Sequence, residues 1–189
     1  GIPIAAKFAA KVDVLAVRKS LGLRDDLPTL LVLSGGSGMG PVGKILHQLD
    51  KVDREFQTVV VCGRNEELRR ELAAQDRKHP TRVLGFASNM HELMAVSDVM
   101  VTKPGGLSIT EALVTQLPLV FFSAIPGQEE GNVRVLSSYN IGFRPKNLAE
   151  VFDYLKTLKA SRDKFLTLLK NTKALAKPNA VEDIVSLVK

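Results

Sequence analysis

The residues Lys103-Pro104-Gly105-Gly106-Leu107-Ser108-Ile109-Thr110-Glu111 combine type and spacing in a way that points to anion chemistry. They follow an apolar run, 98–101, that predicts a buried parallel strand, and they lead into 107–116, which predicts a helix. A strand, a glycine turn and a helix together aim backbone N–H groups and a helix N-terminus at an anion on the carboxyl edge of a sheet. Two readings of the pair Ser108 and Glu111 stand side by side. In one, their spacing is a capping box: the serine oxygen takes an orphan N–H and the glutamate reaches back. In the other, Glu111 accepts hydrogen bonds from both hydroxyls of a ribose, and phosphates lie over Gly105 to Ser108.

A second glycine-rich turn, Ser34-Gly35-Gly36-Ser37-Gly38-Met39-Gly40, follows the apolar run 29–33. Pro41 then falls at the first position of a helix, where its missing N–H costs nothing. Two better-known phosphate loops are excluded. Gly38 to Lys44 match the spacing of a P-loop, but Ile45 stands where Ser or Thr would hold Mg²⁺. The dinucleotide fingerprint fails because Pro41 replaces its third glycine. The second strand, 58–61, also ends in Cys62-Gly63-Arg64-Asn65, with no acidic residue for an NAD ribose.

The elements that must position these turns alternate along the chain. Residues 1–10 read as an extended lead-in and 11–21 as a helix closed by Gly22; 81–84, 118–122 and 141–143 complete six strands. Intervening helices are expected at 65–78, with Leu68, Leu72 and Ala73 inward, and at 90–96, where His91 sits on the surface. Helices over 148–158, 162–176 and 181–188 end the chain. This alternation predicts a Rossmann-like doubly wound α/β fold with a six-stranded parallel sheet of order 3-2-1-4-5-6. In that order strands one and four are neighbours, so both glycine turns open on one crevice. Two helix N-termini aimed at one crevice call for concentrated negative charge, such as a diphosphate.

Composition narrows the class. The 189 residues are 45% hydrophobic, enough for one sizeable core, with no membrane-spanning run and no secretory leader. A single cysteine, Cys62, excludes an internal disulfide framework and reads as a buried structural thiol. The net charge of +6 is concentrated in 144–189, where ten Lys or Arg oppose five Asp or Glu. A basic helical face suits phosphate or an anionic membrane surface, or is simply solvated. With 5% aromatics and no tryptophan, a base-stacking nucleic-acid platform is disfavoured. No Asp-x-Asp pair is present, so helix ends rather than a divalent metal would meet the phosphates, and no cofactor is expected.

The set Gly35-Gly36-Ser37-Gly38, Gly85-Phe86, the 103–111 motif and Pro126-Gly127-Gln128-Glu129 resembles one enzyme family. It is the monogalactosyldiacylglycerol synthase and processive diacylglycerol glucosyltransferase family, inverting glycosyltransferases of the two-domain GT-B type. The resemblance implies that this chain is the C-terminal, nucleotide-sugar-binding half. Its parts would be an interdomain lead-in and first helix (1–27), a donor-binding core (28–145) and a helical tail (146–189). It implies that Gly36, Ser37, Gly38, Met39 and Gly40, with Gly106, Leu107 and Ser108, meet the diphosphate. Phe86, Ala87 and Met90 would read or pack the uracil, and Glu111 would hold the ribose. Gln128, Glu129 and Asn132 would bind the hexose of UDP-glucose or UDP-galactose.

The same resemblance places the catalytic base in the N-terminal half, so this chain is expected to bind donor without turnover. The acceptor would be diacylglycerol, and the site of action the cytoplasmic face of a membrane, with peripheral attachment. Two other readings stay open: a UDP-N-acetylglucosamine-dependent enzyme of peptidoglycan synthesis, in which two glutamines tend to replace Gln128-Glu129, and a non-catalytic UDP-sugar-binding module.

Overall fold

The computed structural model describes residues 1–35, 41–122 and 128–188, apart from the side chains of Gln128 and Val188. Six parallel strands form one sheet: β1 (Thr29–Leu33), β2 (Gln57–Val61), β3 (Thr81–Leu84), β4 (Val99–Thr102), β5 (Leu119–Phe121) and β6 (Gly142–Phe143). Their order is β3-β2-β1-β4-β5-β6, as the alternation predicts. Register fixes the switch point: Leu30, Leu31 and Val32 of β1 pair with Val99, Met100 and Val101 of β4.

Alternation along each strand sorts the core into two layers, since successive side chains point to opposite faces. Leu30, Val32, Val60, Val99, Val101 and Val120 pack beneath α2 (Val42–Leu49), α3 (Glu66–Ala73) and α7 (Ala149–Ala160). On the other face Leu31, Leu33, Val59, Met100 and Phe121 meet α4 (Met90–Ala95), α5 (Gly106–Val114), α6 (Gln128–Ser138) and α8 (Arg162–Leu175). Both β1 and β2 are buried at every position, which is why, apart from Gln57 at the start of β2, their sequences are unbroken apolar and Thr runs rather than alternating ones.

Helix ends follow local chemistry. Asp13 caps α1 (Val14–Leu21) by accepting from the Ala16 N–H, so this helix starts later than the pattern predicts. Asn65 caps α3, accepting from the Leu68 N–H at 2.9 Å. That helix stops at Ala73, which is exposed, and only Leu72 is fully buried on it. Pro41 precedes α2 as its N-cap rather than opening it. The lead-in is not simply extended: Ala6–Ala9 make a 3-10 turn that buries Phe8. Beyond α8, α9 (Ala180–Val188) leaves Val181, Ile184, Val185 and Leu187 exposed. The apolar residues of α8 divide: Leu168 is buried, Leu169 and Leu175 are half-buried, and Phe165 is exposed. Among the described residues no helix is long and apolar enough to cross a membrane.

Candidate functional site

A cleft of about 910 Å³ opens at the carboxyl edge of β1, β2 and β4. The end of β1 is pinned to β2 by two donors to the Val61 carbonyl, the Ser34 N–H at 3.1 Å and the Ser34 hydroxyl at 3.0 Å. Gly35 follows with φ of +80°, a conformation that disfavours a side chain. A Cβ on Gly35 would also lie 3.3 Å from Cε of Lys103. The turns after β1 and β4 therefore touch, which is the shared crevice that the sheet order requires.

The structure brings Phe86, Ala87, Met90, Gly106, Leu107, Ser108 and Glu111 to this one cleft. Gly105, extended at φ −75°, is the N-cap of α5, so the first N–H groups of that helix start at the cleft. Ser108 lies inside α5 and makes no capping hydrogen bond, which corrects the capping-box reading of Ser108 and Glu111. The cause is that the helix begins at Gly106, two residues before the serine. Glu111 is half-buried, and burial pushes its carboxyl above the ordinary glutamate value while the charge of Lys7 pulls the other way. Among the described residues nothing donates a hydrogen bond to that carboxylate.

Glu129 and Asn132 stand behind the β4 turn rather than along the cleft wall. Glu129 is buried on α6, with Oε1 3.5 Å from Nζ of Lys103. The Asn132 side-chain amide donates to the Pro104 carbonyl at 2.9 Å. Together they tie α6 to the turn that precedes α5. Gln128 opens α6, and Gly36, Ser37, Gly38, Met39 and Gly40 lie outside the described residues.

Two contributors were given no role of their own from the sequence. Lys103 lines the cleft; its place directly after β4, on the edge where ligands bind, was the available signal. The lead-in residues Pro3, Ile4, Ala5, Lys7 and Phe8 form another wall. No periodicity announced that role, although Phe8, a lone aromatic among small residues, marks a docking point. Two histidines also differ from simple surface residues. His91 is half-buried, its ring edge-on to Phe8 at 6.1 Å. His79 is buried against Phe56 at 3.9 Å, at the amino edge of the sheet and away from the cleft. Cys62 is buried, and burial raises its thiol pKa, as a structural cysteine requires.

A doubly wound sheet with its cleft at the switch point defines a nucleotide-binding α/β protein. The Glycosyltransferase family 28 C-terminal domain profile matches residues 29–137, and the chain belongs to that family. It is 31% identical over 191 residues to processive diacylglycerol beta-glucosyltransferase of Bacillus pumilus, covering 98% of this chain and 50% of that protein. It is 38% identical over 196 residues to monogalactosyldiacylglycerol synthase 2 of Arabidopsis thaliana, covering 98% of this chain and 42% of that protein. The chain thus spans half or less of the length of these relatives. MurG of Acinetobacter baumannii shares the fold at a TM-score of 0.70 and 18% identity, covering 95% of this chain and 54% of MurG. Anabaena HepE, solved in complex with UDP and glucose, does so at 0.69 and 17% identity, covering 98% of this chain and 54% of HepE.

Proposed function

We propose that this chain is the donor-binding domain of a hexosyltransferase that moves glucose or galactose from a UDP-sugar to diacylglycerol, yielding a membrane glycolipid. The observation that carries the reading is Glu111: a half-buried carboxylate, offered no protein donor among the described residues, on the wall of a cleft at the β1–β4 switch point. A pair of vicinal hydroxyls supplies the two donors such a group lacks. Backbone at Phe86 and Ala87 then faces the base, with Met90 beside it, and Gly106 to Ser108 meet the diphosphate together with Gly36 to Gly40. Gln128, Glu129 and Asn132, at the start of α6 behind the β4 turn, are the residues proposed to bind the hexose.

Displacing UDP from an anomeric carbon builds negative charge on the leaving diphosphate. Fixed donors where that charge develops lower the barrier, and in a water-poor cleft this is often the largest catalytic term. The N-terminal N–H groups of α5 are such donors, and the Lys103 ammonium, paired with Glu129 at 3.5 Å, adds a further donor at the same edge. In this reading no metal is required. The base that accepts the acceptor's proton comes from outside this chain, so the chain binds donor without turning it over, and residues 1–27, 28–145 and 146–189 act as lead-in, donor core and tail.

The likeness to diacylglycerol glycosyltransferases favours a lipid acceptor. We place the whole enzyme at the cytoplasmic face of the membrane, attached peripherally; the basic residues of 144–189 and the exposed apolar side chains of α9 support that placement. Calorimetric titration with UDP, UDP-glucose, UDP-galactose and UDP-N-acetylglucosamine tests the donor reading. Tighter binding of a UDP-hexose than of UDP-N-acetylglucosamine is expected. The reverse order favours the peptidoglycan enzyme, and no binding of any of the four rejects the reading. Glycosyl transfer to diacylglycerol by the chain alone would reject the division of labour.

A further inference from the structure

The lead-in does more than connect. Phe8 is buried in the layer that holds Leu93 and Ile109, and Ile2 lies so close to Gly106 that a Cβ there would come within 2.7 Å of its Cδ1. These two anchors, on either side of Pro3 to Lys7, stretch the segment along the α5 side of the cleft. From there Lys7 sends its ammonium to the Ser88 carbonyl at 2.5 Å, across 81 positions of sequence.

Ser88 lies in the stretch 85–89 that joins β3 to α4, the loop assigned to the base. The Phe86 ring on it is 68% exposed, with the Arg64 guanidinium 5.8 Å from its centroid, while Ala87 packs against the core. Among the described residues, the bond from Lys7 is the one that reaches the backbone of 85–88 from another element. The same ammonium offsets part of the burial cost of the Glu111 carboxylate, which puts its charge toward the cleft.

We propose that Lys7 is a base-positioning residue: by holding the Ser88 carbonyl it sets the backbone of Phe86 and Ala87 to face one base edge, and so makes the site select uracil over cytosine. The inference rests on the nucleotide-binding reading above and adds a source of selectivity to it. Bases of similar shape are separated chiefly by whether a fixed donor or acceptor meets its complement, and a loop free to reorient loses that discrimination.

The test uses the 189-residue chain, titrated with UDP and with CDP, as wild type, Lys7→Met and Lys7→Arg. Lys7 is exposed, so the fold is expected to survive, and equal melting temperatures check this. Losing a charge-assisted bond that orders the loop should weaken UDP about ten-fold in Lys7→Met while CDP changes less than about two-fold, and Lys7→Arg should restore most of the UDP affinity. Equal losses for UDP and CDP would make Lys7 only a charge for the phosphates and overturn the proposal, as would no loss at all. Wild-type protein that binds neither nucleotide would instead strike the underlying reading, a result distinct from either of those.

Discussion

Substituting Glu111 separates a ribose-binding carboxylate from an ordinary half-buried acid. Hydrogen bonds to an ionised partner contribute about 1.5–3 kcal/mol each, and two ribose hydroxyls would make two of them. Part of that gain offsets displacing water from the carboxylate, so Glu111→Ala should cost about 2–4 kcal/mol, a loss of roughly 30- to 1000-fold in affinity. Glu111→Gln keeps one acceptor oxygen without the charge and should fall at the lower end. Because burial raises the Glu111 pKa, the folded chain binds a proton there more readily than the unfolded chain does. Its contribution to stability is therefore fully present below the unfolded value and lost as pH rises through the folded one. At neutral pH Glu111→Gln should melt higher than wild type while binding more weakly, a trade between stability and function. Ligand affinity runs the other way: only the carboxylate accepts both hydroxyls, so affinity should drop as pH falls through the raised pKa. Uridine is the right probe, because the phosphate of UDP titrates near pH 6 itself. Uridine affinity that is flat with pH in the wild type, or unchanged within about two-fold in Glu111→Ala, would refute the assignment.

Five further outcomes follow from particular contacts. A Cβ on Gly142 would meet the Leu119 carbonyl oxygen at 3.1 Å and Phe121 Cε2 at 2.8 Å, so Gly142→Ala should lower stability by about 1–3 kcal/mol in denaturant titration. Gly105→Ala, with nothing within 4 Å, should cost under about 1 kcal/mol. Gln116 ends α5 with φ of +57°, where the Leu117 N–H reaches the Ala112 carbonyl at 2.9 Å; Gln116→Gly should raise stability by about 0.5–1 kcal/mol. Cys62 should react with a disulfide reagent about a hundred-fold slower in the native chain than after unfolding, given its burial and raised pKa. Lys103→Ala should weaken UDP-hexose binding by about three- to ten-fold in calorimetry, because it removes both a cation at the cleft and the partner of Glu129.

The sheet was legible because its information is local. The central strands are short apolar runs followed by turn residues, and alternation with helices leaves few orders for a parallel sheet. Adjacency of β1 and β4 followed from that order, and the contact between Gly35 and Lys103 is its consequence in space. Helix starts were read less well. Ser108 has the residue type of a cap, but Gly105, without a side chain to offer, takes the position because the chain leaves β4 there. Least legible was the lead-in. Pro3 to Phe8 carry no period, and their place against α5 depends on a pocket between α4 and α5 built from residues some ninety positions away. Long-range packing of this kind leaves no spacing to read.

The division between rigid and adjustable parts follows from the same physics. Strands β1, β2, β4 and β5 are buried at every position and paired in register, so the edge they end on cannot shift without breaking the core. Electrostatic help to a leaving diphosphate depends on donors that do not reorganise as charge develops, and the start of α5 stands on that fixed edge. Selectivity is placed differently. The loop at 85–88, proposed to face the base, lies at the β3 end of the sheet, where the burial of β3 is only partial, and among the described residues its backbone is reached by one lysine from a distant segment. Changes at 103–106 should therefore alter how well the site grips phosphate, whereas changes at Lys7 should alter which base it prefers.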